Sequence, residues 1–121
     1  MPKIVGRYDE GALPNRRAKQ VFGTLEDVLR NLIGEIRPDQ KKYGVTVEGD
    51  PFGPIALNQS DLRIYVFYHA EWLFTPEELQ FLASGFLAGV KKELERLQIQ
   101  DVEVQIRFYE RAGHAGASNK K

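Results

Sequence analysis

The sequence predicts an α+β fold, a two-layer sandwich in which two helices cover one face of a four-stranded sheet. Two long segments repeat apolar residues at three- and four-residue steps, which indicates two amphipathic helices. Each segment is flanked by short stretches of strand-forming residues, so the order strand–helix–strand occurs twice. A chain of 121 residues has the size of one domain. We therefore expect a single domain over residues 1–110 and a small, polar C-terminal tail over residues 111–121.

The first strand–helix–strand unit opens with a predicted strand over residues 3–8, which ends in an acidic turn closed by a glycine. Apolar residues then lie along one stripe from residue 21 to residue 36, and Arg37 ends this helix because it precedes a proline. Thr24 is followed three residues later by an acidic residue, so a bend or restart at Thr24 is an alternative to one continuous helix. The segment "YGVTVEG" (43–49) is the predicted second strand.

The second unit opens with the segment "LRIYVFYH" (62–69), which is dense in β-branched and aromatic residues and predicts a strand. The sequence "TPEE" (75–78) predicts a helix start, with a threonine cap, a proline in the first turn and a closing glutamate. Gly85 and Gly89 lie on one side of this helix, where we expect another helix or the sheet to approach closely. The segment "DVEVQIRFY" (101–109) alternates apolar and polar residues and is the predicted fourth strand.

The composition disfavours several classes of function. The chain carries 17 basic and 17 acidic residues, so no basic excess favours binding to nucleic acid. It has no cysteine, which excludes disulfides, thiol catalysis and cysteine-bound metal. The two histidines are far apart and no zinc or phosphate-binding motif occurs, so we expect no metal and no cofactor. Without a signal peptide or an 18-residue apolar segment, we expect a soluble, cytoplasmic protein that does not contact membranes.

The strand over residues 62–69 is apolar on both of its faces, although two helices can cover only one face of the sheet. Tyr65 and Phe67 lie on the second face. Monomers rarely expose such aromatic patches, so we expect a homo-oligomer that buries these side chains between subunits. The alternative is that the loop over residues 50–60 covers them within one chain.

Three segments carry a resemblance to a known family: "MPKIVGRYDEG" at the start, "DLRIYVFYHAEWLFTPEEL" from the third strand into the second helix, and "DVEVQIRFYERAGHAGA" at the end. In these segments the chain resembles the tautomerase superfamily. Within it, the chain looks like the isomerases that join two strand–helix–strand units, such as 5-carboxymethyl-2-hydroxymuconate isomerase, and its second half looks like a 4-oxalocrotonate tautomerase unit. The resemblance extends over nearly the whole chain.

This resemblance implies an isomerase that interconverts the keto and enol forms of a small carboxylic acid without a cofactor, and it favours a trimer. The implied catalytic group is the amine of Pro2, which is free only if Met1 is removed. Such a group needs a pKa near the working pH. An α-amino group already titrates near pH 8, and an apolar pocket with nearby arginines lowers the pKa of such an amine further.

The resemblance also implies that arginines bind the carboxylate of the substrate. The candidates in this chain are Arg107 and Arg37, with Tyr109 as a hydrogen-bond donor on the same strand face as Arg107. The chain departs from the family at Phe74, because the family pattern has an arginine directly before the helix-capping residue. A non-catalytic oligomeric binding module, or a component of a larger assembly, is therefore the alternative function.

A rival fold has the same order of elements. In the ferredoxin-like sandwich another strand separates the two strands that flank each helix, whereas in a tautomerase these two strands are adjacent and parallel. The periodicity of the sequence predicts both folds equally well.

Overall fold

A computed structural model describes residues 2–40, 44–52 and 61–111 of the chain. It contains two helices and four strands in the order β-α-β-β-α-β, as predicted. The elements are β1 (Lys3–Tyr8), α1 (Asn15–Ile36), β2 (Thr46–Pro51), β3 (Leu62–His69), α2 (Pro76–Arg96) and β4 (Val104–Arg111). Short 3₁₀ turns at Pro38–Gln40 and Ala70–Trp72 follow α1 and β3. Neither helix is long and apolar enough to cross a membrane within the described ranges.

The strands form one sheet in the order β2-β1-β3-β4. β1 pairs in parallel with β2, and β3 pairs in parallel with β4, while the central pair β1 and β3 is antiparallel. The two strands that flank each helix are therefore adjacent and parallel. This order confirms the tautomerase-like alternative and excludes the ferredoxin-like one.

The core lies between the helices and one face of the sheet. Every second residue of β1 and β3 points into it, among them Ile4, Ile64 and Val66, which are fully buried. Four of the five buried residues of α1 match the four buried residues of α2 at the same spacing: Val21, Leu25, Leu29 and Ile33 correspond to Leu82, Phe86, Val90 and Leu94. The chain is thus built from two halves of like design, β1-α1-β2 and β3-α2-β4.

The helices pack closely against each other at the two glycines of α2. A Cβ atom added at Gly85 would lie 2.7 Å from Leu32 Cδ2, and one added at Gly89 would lie 2.6 Å from Val28 Cγ1. Both distances are too short for a real Cβ contact, so the glycines allow α1 to approach. The close approach expected at Gly85 and Gly89 is confirmed, and the approaching element is α1.

Several predicted boundaries differ from the structure, among them the start of α1, which lies at Asn15, before the predicted apolar stripe. α1 continues through Thr24, whose hydroxyl donates to the Val21 carbonyl oxygen at 2.8 Å and so bonds back to its own helix instead of capping a new one. β2 extends over Thr46–Pro51 and not over residues 43–49, and residues 41–43 lie outside the described residues, as does Met1. Arg111, the first residue of the predicted tail over residues 111–121, is the last residue of β4, and the rest of that tail lies outside the described residues. β4 begins at Val104 and not at the predicted Asp101, whose left-handed φ of 59° lies outside the extended region that strands occupy.

The antiparallel pairing of β1 with β3 brings four parts of the chain to one end of the sheet. The start of β1 with Pro2 lies beside the end of β3 with Tyr68. The end of α1 with Arg37 meets the segment before α2, which contains Phe74. We call this region the Pro2 end.

Candidate active site

Pro2 begins the central strand β1 with its ring buried. Less than 2% of the residue is exposed, and its carbonyl oxygen accepts a hydrogen bond from Thr46 N at 3.2 Å. Strand alternation places Pro2 on the same face as Ile4, which is the face that the helices cover. The catalytic proline implied by the resemblance therefore lies on the core side of the sheet.

Tyr68 and Val45 flank Pro2 on the neighbouring strands. Lys3 pairs with Phe67 in β3 and with Thr46 in β2, so one residue earlier Pro2 lies between Tyr68 and Val45. Tyr68 and Val45 are each 7% exposed. The two described neighbours of Pro2 in the sheet are thus apolar, apart from one phenol hydroxyl.

Tyr68 extends from the sheet toward Phe74, and the two rings meet edge to face with their centroids 5.4 Å apart. Burial raises the pKa of Tyr68 above its ordinary value of 10.0, and the negative charge of Glu110 raises it further. The hydroxyl therefore keeps its proton at neutral pH. The sequence pattern does not single out Tyr68, because it alternates as one more core residue of β3. The sequence signal that could identify Tyr68 is its hydroxyl, which needs a hydrogen-bond partner when it lies at a core-facing position.

Arg37 lies at the same end, but its guanidinium already contacts protein groups. It donates hydrogen bonds to the carbonyl oxygens of Trp72 and Leu73 and pairs with Glu78, with 3.0 Å between Nη2 and Oε1. Its Cζ lies 4.9 Å from the centre of the Phe74 ring. These contacts hold the end of α1 to the start of α2. A substrate role for Arg37 stays a prediction, and substrate binding would have to replace some of these contacts.

Glu78 joins this cluster to the cap of α2. Its carboxylate accepts a hydrogen bond from Thr75 N at 2.9 Å, while Glu78 N donates to Thr75 Oγ1 at 3.1 Å. The predicted capping box is thereby confirmed. The hydrogen bond from the Thr75 backbone, followed by the one from Arg37, lowers the pKa of Glu78 from its ordinary value of 4.5.

Arg107 and Tyr109 lie on the other face of the sheet, which the helices do not cover. Arg107 pairs with Tyr65 and Tyr109 pairs with Phe67 in the register of β3 and β4. The Tyr109 ring stacks on Phe67 at 5.6 Å between centroids, and Tyr109 is 41% exposed. One chain therefore does not bring Arg107 or Tyr109 together with Pro2. They can act on the same substrate only if they come from a second copy.

The opposite end of the sheet contains a cleft that is lined by Tyr8, Asn15, Lys19, Phe22, Val47 and Gly49. The Tyr8 hydroxyl donates a hydrogen bond to Asn15 Oδ1. Across the described ranges, no group of three or more histidine, aspartate or glutamate side chains could hold a metal ion.

The sequence matches no model of a known protein family and no curated protein. Its fold is similar to that of solved structures. One is N1, a member of the cis-3-chloroacrylic acid dehalogenase family, with a TM-score of 0.64 and 17% identity over 98% of this chain and 81% of that one. A second is a 5-carboxymethyl-2-hydroxymuconate delta-isomerase, with a TM-score of 0.58 and 14% identity over 100% and 88% of the two chains.

A third is Pt0534, solved after inactivation by 2-oxo-3-pentynoate, with a TM-score of 0.54 and 19% identity over 98% and 90% of the two chains. Identities this low establish the fold alone. The resemblance found in the sequence is thus confirmed at that level: the chain has the fold of the tautomerase superfamily.

Proposed function

We propose that the chain is a cofactor-independent tautomerase that interconverts the keto and enol forms of a small carboxylic acid. Pro2, freed by removal of Met1, is the proton carrier. The observation that supports this proposal most is the position of Pro2. Its ring is buried at the start of a central strand, between Val45 and Tyr68, at an end of the sheet where segments from both halves meet.

The chemistry needs one base that takes a proton from carbon and returns it to oxygen. The neutral Pro2 nitrogen removes a proton from the carbon beside the keto group of the substrate. The electrons of that C–H bond form the carbon–carbon double bond, and those of the carbonyl move to its oxygen, which receives the proton. An apolar environment favours the neutral form of an amine, and the side chains around Pro2 supply it.

The experiment begins with the mass of the purified protein, which shows whether Met1 has been removed. Processed protein should ketonise phenylenolpyruvate faster than buffer does. Pro2→Ala should lower this rate at least about 100-fold, the usual scale for a general acid–base group. Pro14→Ala is the matched control, because Pro14 is exposed at the start of α1 and lies away from the Pro2 end. It should keep the wild-type rate.

A second readout uses 2-oxo-3-pentynoate, the compound that inactivates Pt0534. A free Pro2 nitrogen would form a bond to its alkyne carbon, with the displaced π electrons moving onto the ketone oxygen before carbon takes a proton. We expect one adduct on Pro2, found by peptide mass spectrometry and missing in Pro2→Ala. A processed protein that neither reacts with this compound nor turns over keto and enol acids would favour the alternative, a non-catalytic oligomeric protein.

We also propose that the chain forms a homo-oligomer, a trimer by resemblance to the family, with the uncovered face of the sheet inside it. The rings of Tyr65, Phe67 and Tyr109 form one aromatic group on that face, with centroids 5.6 and 6.0 Å apart around Tyr109. An assembled sheet face could also bring Arg107 of one copy to the Pro2 end of another. The other suggested cover, the loop over residues 50–60, lies largely outside the described residues.

Light scattering at micromolar concentration should give a multiple of the 13.8 kDa chain mass. Phe67→Glu should dissociate the assembly, because an unpaired buried charge is strongly unfavourable. Gln80→Glu places the same charge on the exposed surface of α2 and should leave the mass unchanged. A monomer mass for the wild-type protein would refute the proposal.

A further inference from the structure

Two tyrosines occupy corresponding positions in the two halves. Tyr8 lies on the core face at the end of β1, and Tyr68 lies on the core face near the end of β3. Each strand leads into the helix of its own half. The two residues are almost equally buried, at 6% and 7% exposed.

Their hydroxyl groups differ. The Tyr8 hydroxyl donates to the side chain of Asn15, which is the first residue of α1. The first residue of α2 is Pro76, which has no side-chain acceptor, and the neighbouring Thr75 hydroxyl is engaged in the helix cap. Within the described residues, the Tyr68 hydroxyl makes no hydrogen bond.

The Tyr68 oxygen is not among the fully buried side-chain atoms without a partner in the described residues, so it reaches the surface of the chain. The matching Tyr8 hydroxyl is engaged inside the chain, whereas the Tyr68 hydroxyl is open to a partner from outside. Tyr68 is also the cross-strand neighbour of Pro2 on the same face of the sheet. Side chains of directly opposed residues begin about 4.5–5.5 Å apart. One small molecule can therefore contact both.

We propose that Tyr68 is a catalytic residue whose hydroxyl donates a hydrogen bond to the keto oxygen of the substrate. This inference rests on the proposed function of Pro2. As Pro2 removes the proton from the neighbouring carbon, negative charge develops on that oxygen, and a fixed donor stabilises it most in the transition state. The proton of Tyr68 stays on its hydroxyl. In enolisation Pro2 delivers the proton taken from carbon to the oxygen, and in ketonisation it delivers the proton taken from the enol oxygen to the carbon.

The surroundings of Tyr68 suit a donor that stays protonated. Its ring is held by the edge contact with Phe74, and Phe74 in turn lies under the guanidinium of Arg37. Burial and the charge of Glu110 raise the pKa of the hydroxyl. The substrate class that this pair favours is a 2-oxo acid small enough to contact Pro2 and Tyr68 at once, with its keto oxygen toward the hydroxyl.

The test compares Tyr68→Phe with Tyr8→Phe in processed protein. Both variants remove one hydroxyl and keep the ring. We expect Tyr68→Phe to lower kcat for phenylenolpyruvate about 100-fold or more, on the scale of one lost oxyanion donor, with little change in KM. It should also slow the labelling of Pro2 by 2-oxo-3-pentynoate, because the same oxygen gains charge in that reaction. Its melting temperature should not fall, since no internal hydrogen bond is lost.

Tyr8→Phe should show the opposite pattern, with a lower melting temperature and an unchanged kcat and labelling rate. The inference is overturned if Tyr68→Phe retains the wild-type kcat and labelling rate while Pro2→Ala loses both. It is also overturned if Tyr68→Phe loses as much stability as Tyr8→Phe, because its hydroxyl then has an internal partner. A wild-type protein that neither turns over nor becomes labelled overturns the proposed function of Pro2, and this inference with it.

Discussion

The two halves pack the helix on the sheet in opposite ways: the first half has a large helix residue over small sheet residues, and the second half has a small helix residue over large sheet residues. In the first half the sheet presents paired glycines, Gly6 in β1 and Gly49 in β2, and Phe22 of α1 lies over both. In the second half the sheet presents Val66 and Phe108 as the corresponding pair. The helix position that matches Phe22 is then Ala83.

The comparison shows that a large ring enters this layer from the helix in the first half and from the sheet in the second. A helix phenylalanine needs glycines beneath it, and a helix alanine needs large residues beneath it, because protein interiors are close-packed. In the second half the Phe108 ring also meets Phe86 edge to face, at 6.3 Å between centroids. A substitution that changes the size of the helix residue or of a sheet residue beneath it should therefore be tolerated only if the residue that packs against it is changed as well.

The strongest test of this complementarity is Gly6→Ala. The new Cβ would lie 2.3 Å from the Phe22 ring, so the ring or the strand must move. We expect the free energy of unfolding, measured by urea denaturation, to fall by about 1–3 kcal/mol, as for other overpacked cores. In the double variant with Phe22→Ala the loss should be smaller than the sum of the two single losses. Additive losses would show that the ring and the glycine do not depend on each other.

A second test concerns the contact between the halves, where Gly89 of α2 meets Val28 of α1. Gly89→Ala improves helix propensity, but its Cβ would lie 2.6 Å from a methyl group of the stiff, β-branched Val28. We expect the free energy of unfolding to fall by about 1 kcal/mol. The control is Gly23→Ala in α1, which has nothing within 4 Å of its added Cβ. It should raise stability by about 1 kcal/mol through propensity alone. If Gly89→Ala and Gly23→Ala changed the free energy of unfolding in the same direction, the close packing of Gly89 against Val28 would be contradicted.

The smallest expected effect concerns the N-terminal caps of the helices. α2 has a capping box, whereas α1 has no side-chain cap. The pKa of Glu78 is lowered from 4.5 in the folded protein, so the unfolded chain takes up a proton there first as the pH falls. The stabilising contribution of Glu78 is therefore fully present above about pH 4.5 and is lost as the pH falls through the lower, folded pKa. Melting temperatures between pH 6 and pH 3 should fall less steeply in Glu78→Gln than in wild type. Glu77→Gln, at an exposed residue of the same turn, should follow the wild-type curve.

Local patterns in the sequence determined much of the secondary structure. The strand over residues 62–69 and the start of α2 agree with the structure, because β-branched runs and a threonine–proline–glutamate cap act through neighbouring residues. The continuity of α1 through Thr24 did not follow from its local pattern. A capping-box spacing also occurs inside helices, and the packing of the apolar stripe on the sheet decided between the two.

The sequence by itself also determined which residues share a face of each strand, and it identified Pro2 as the candidate base and Gly85 and Gly89 as points of close approach. Only the tertiary structure decided the strand order, since pairing joins residues that are distant in the chain and leaves the periodicity of each strand unchanged. That pairing in turn placed Tyr68 beside Pro2, engaged Arg37 with Glu78, and put Arg107 on the opposite face of the sheet. The members of a site are set by distances between elements, which no local pattern in the sequence encodes.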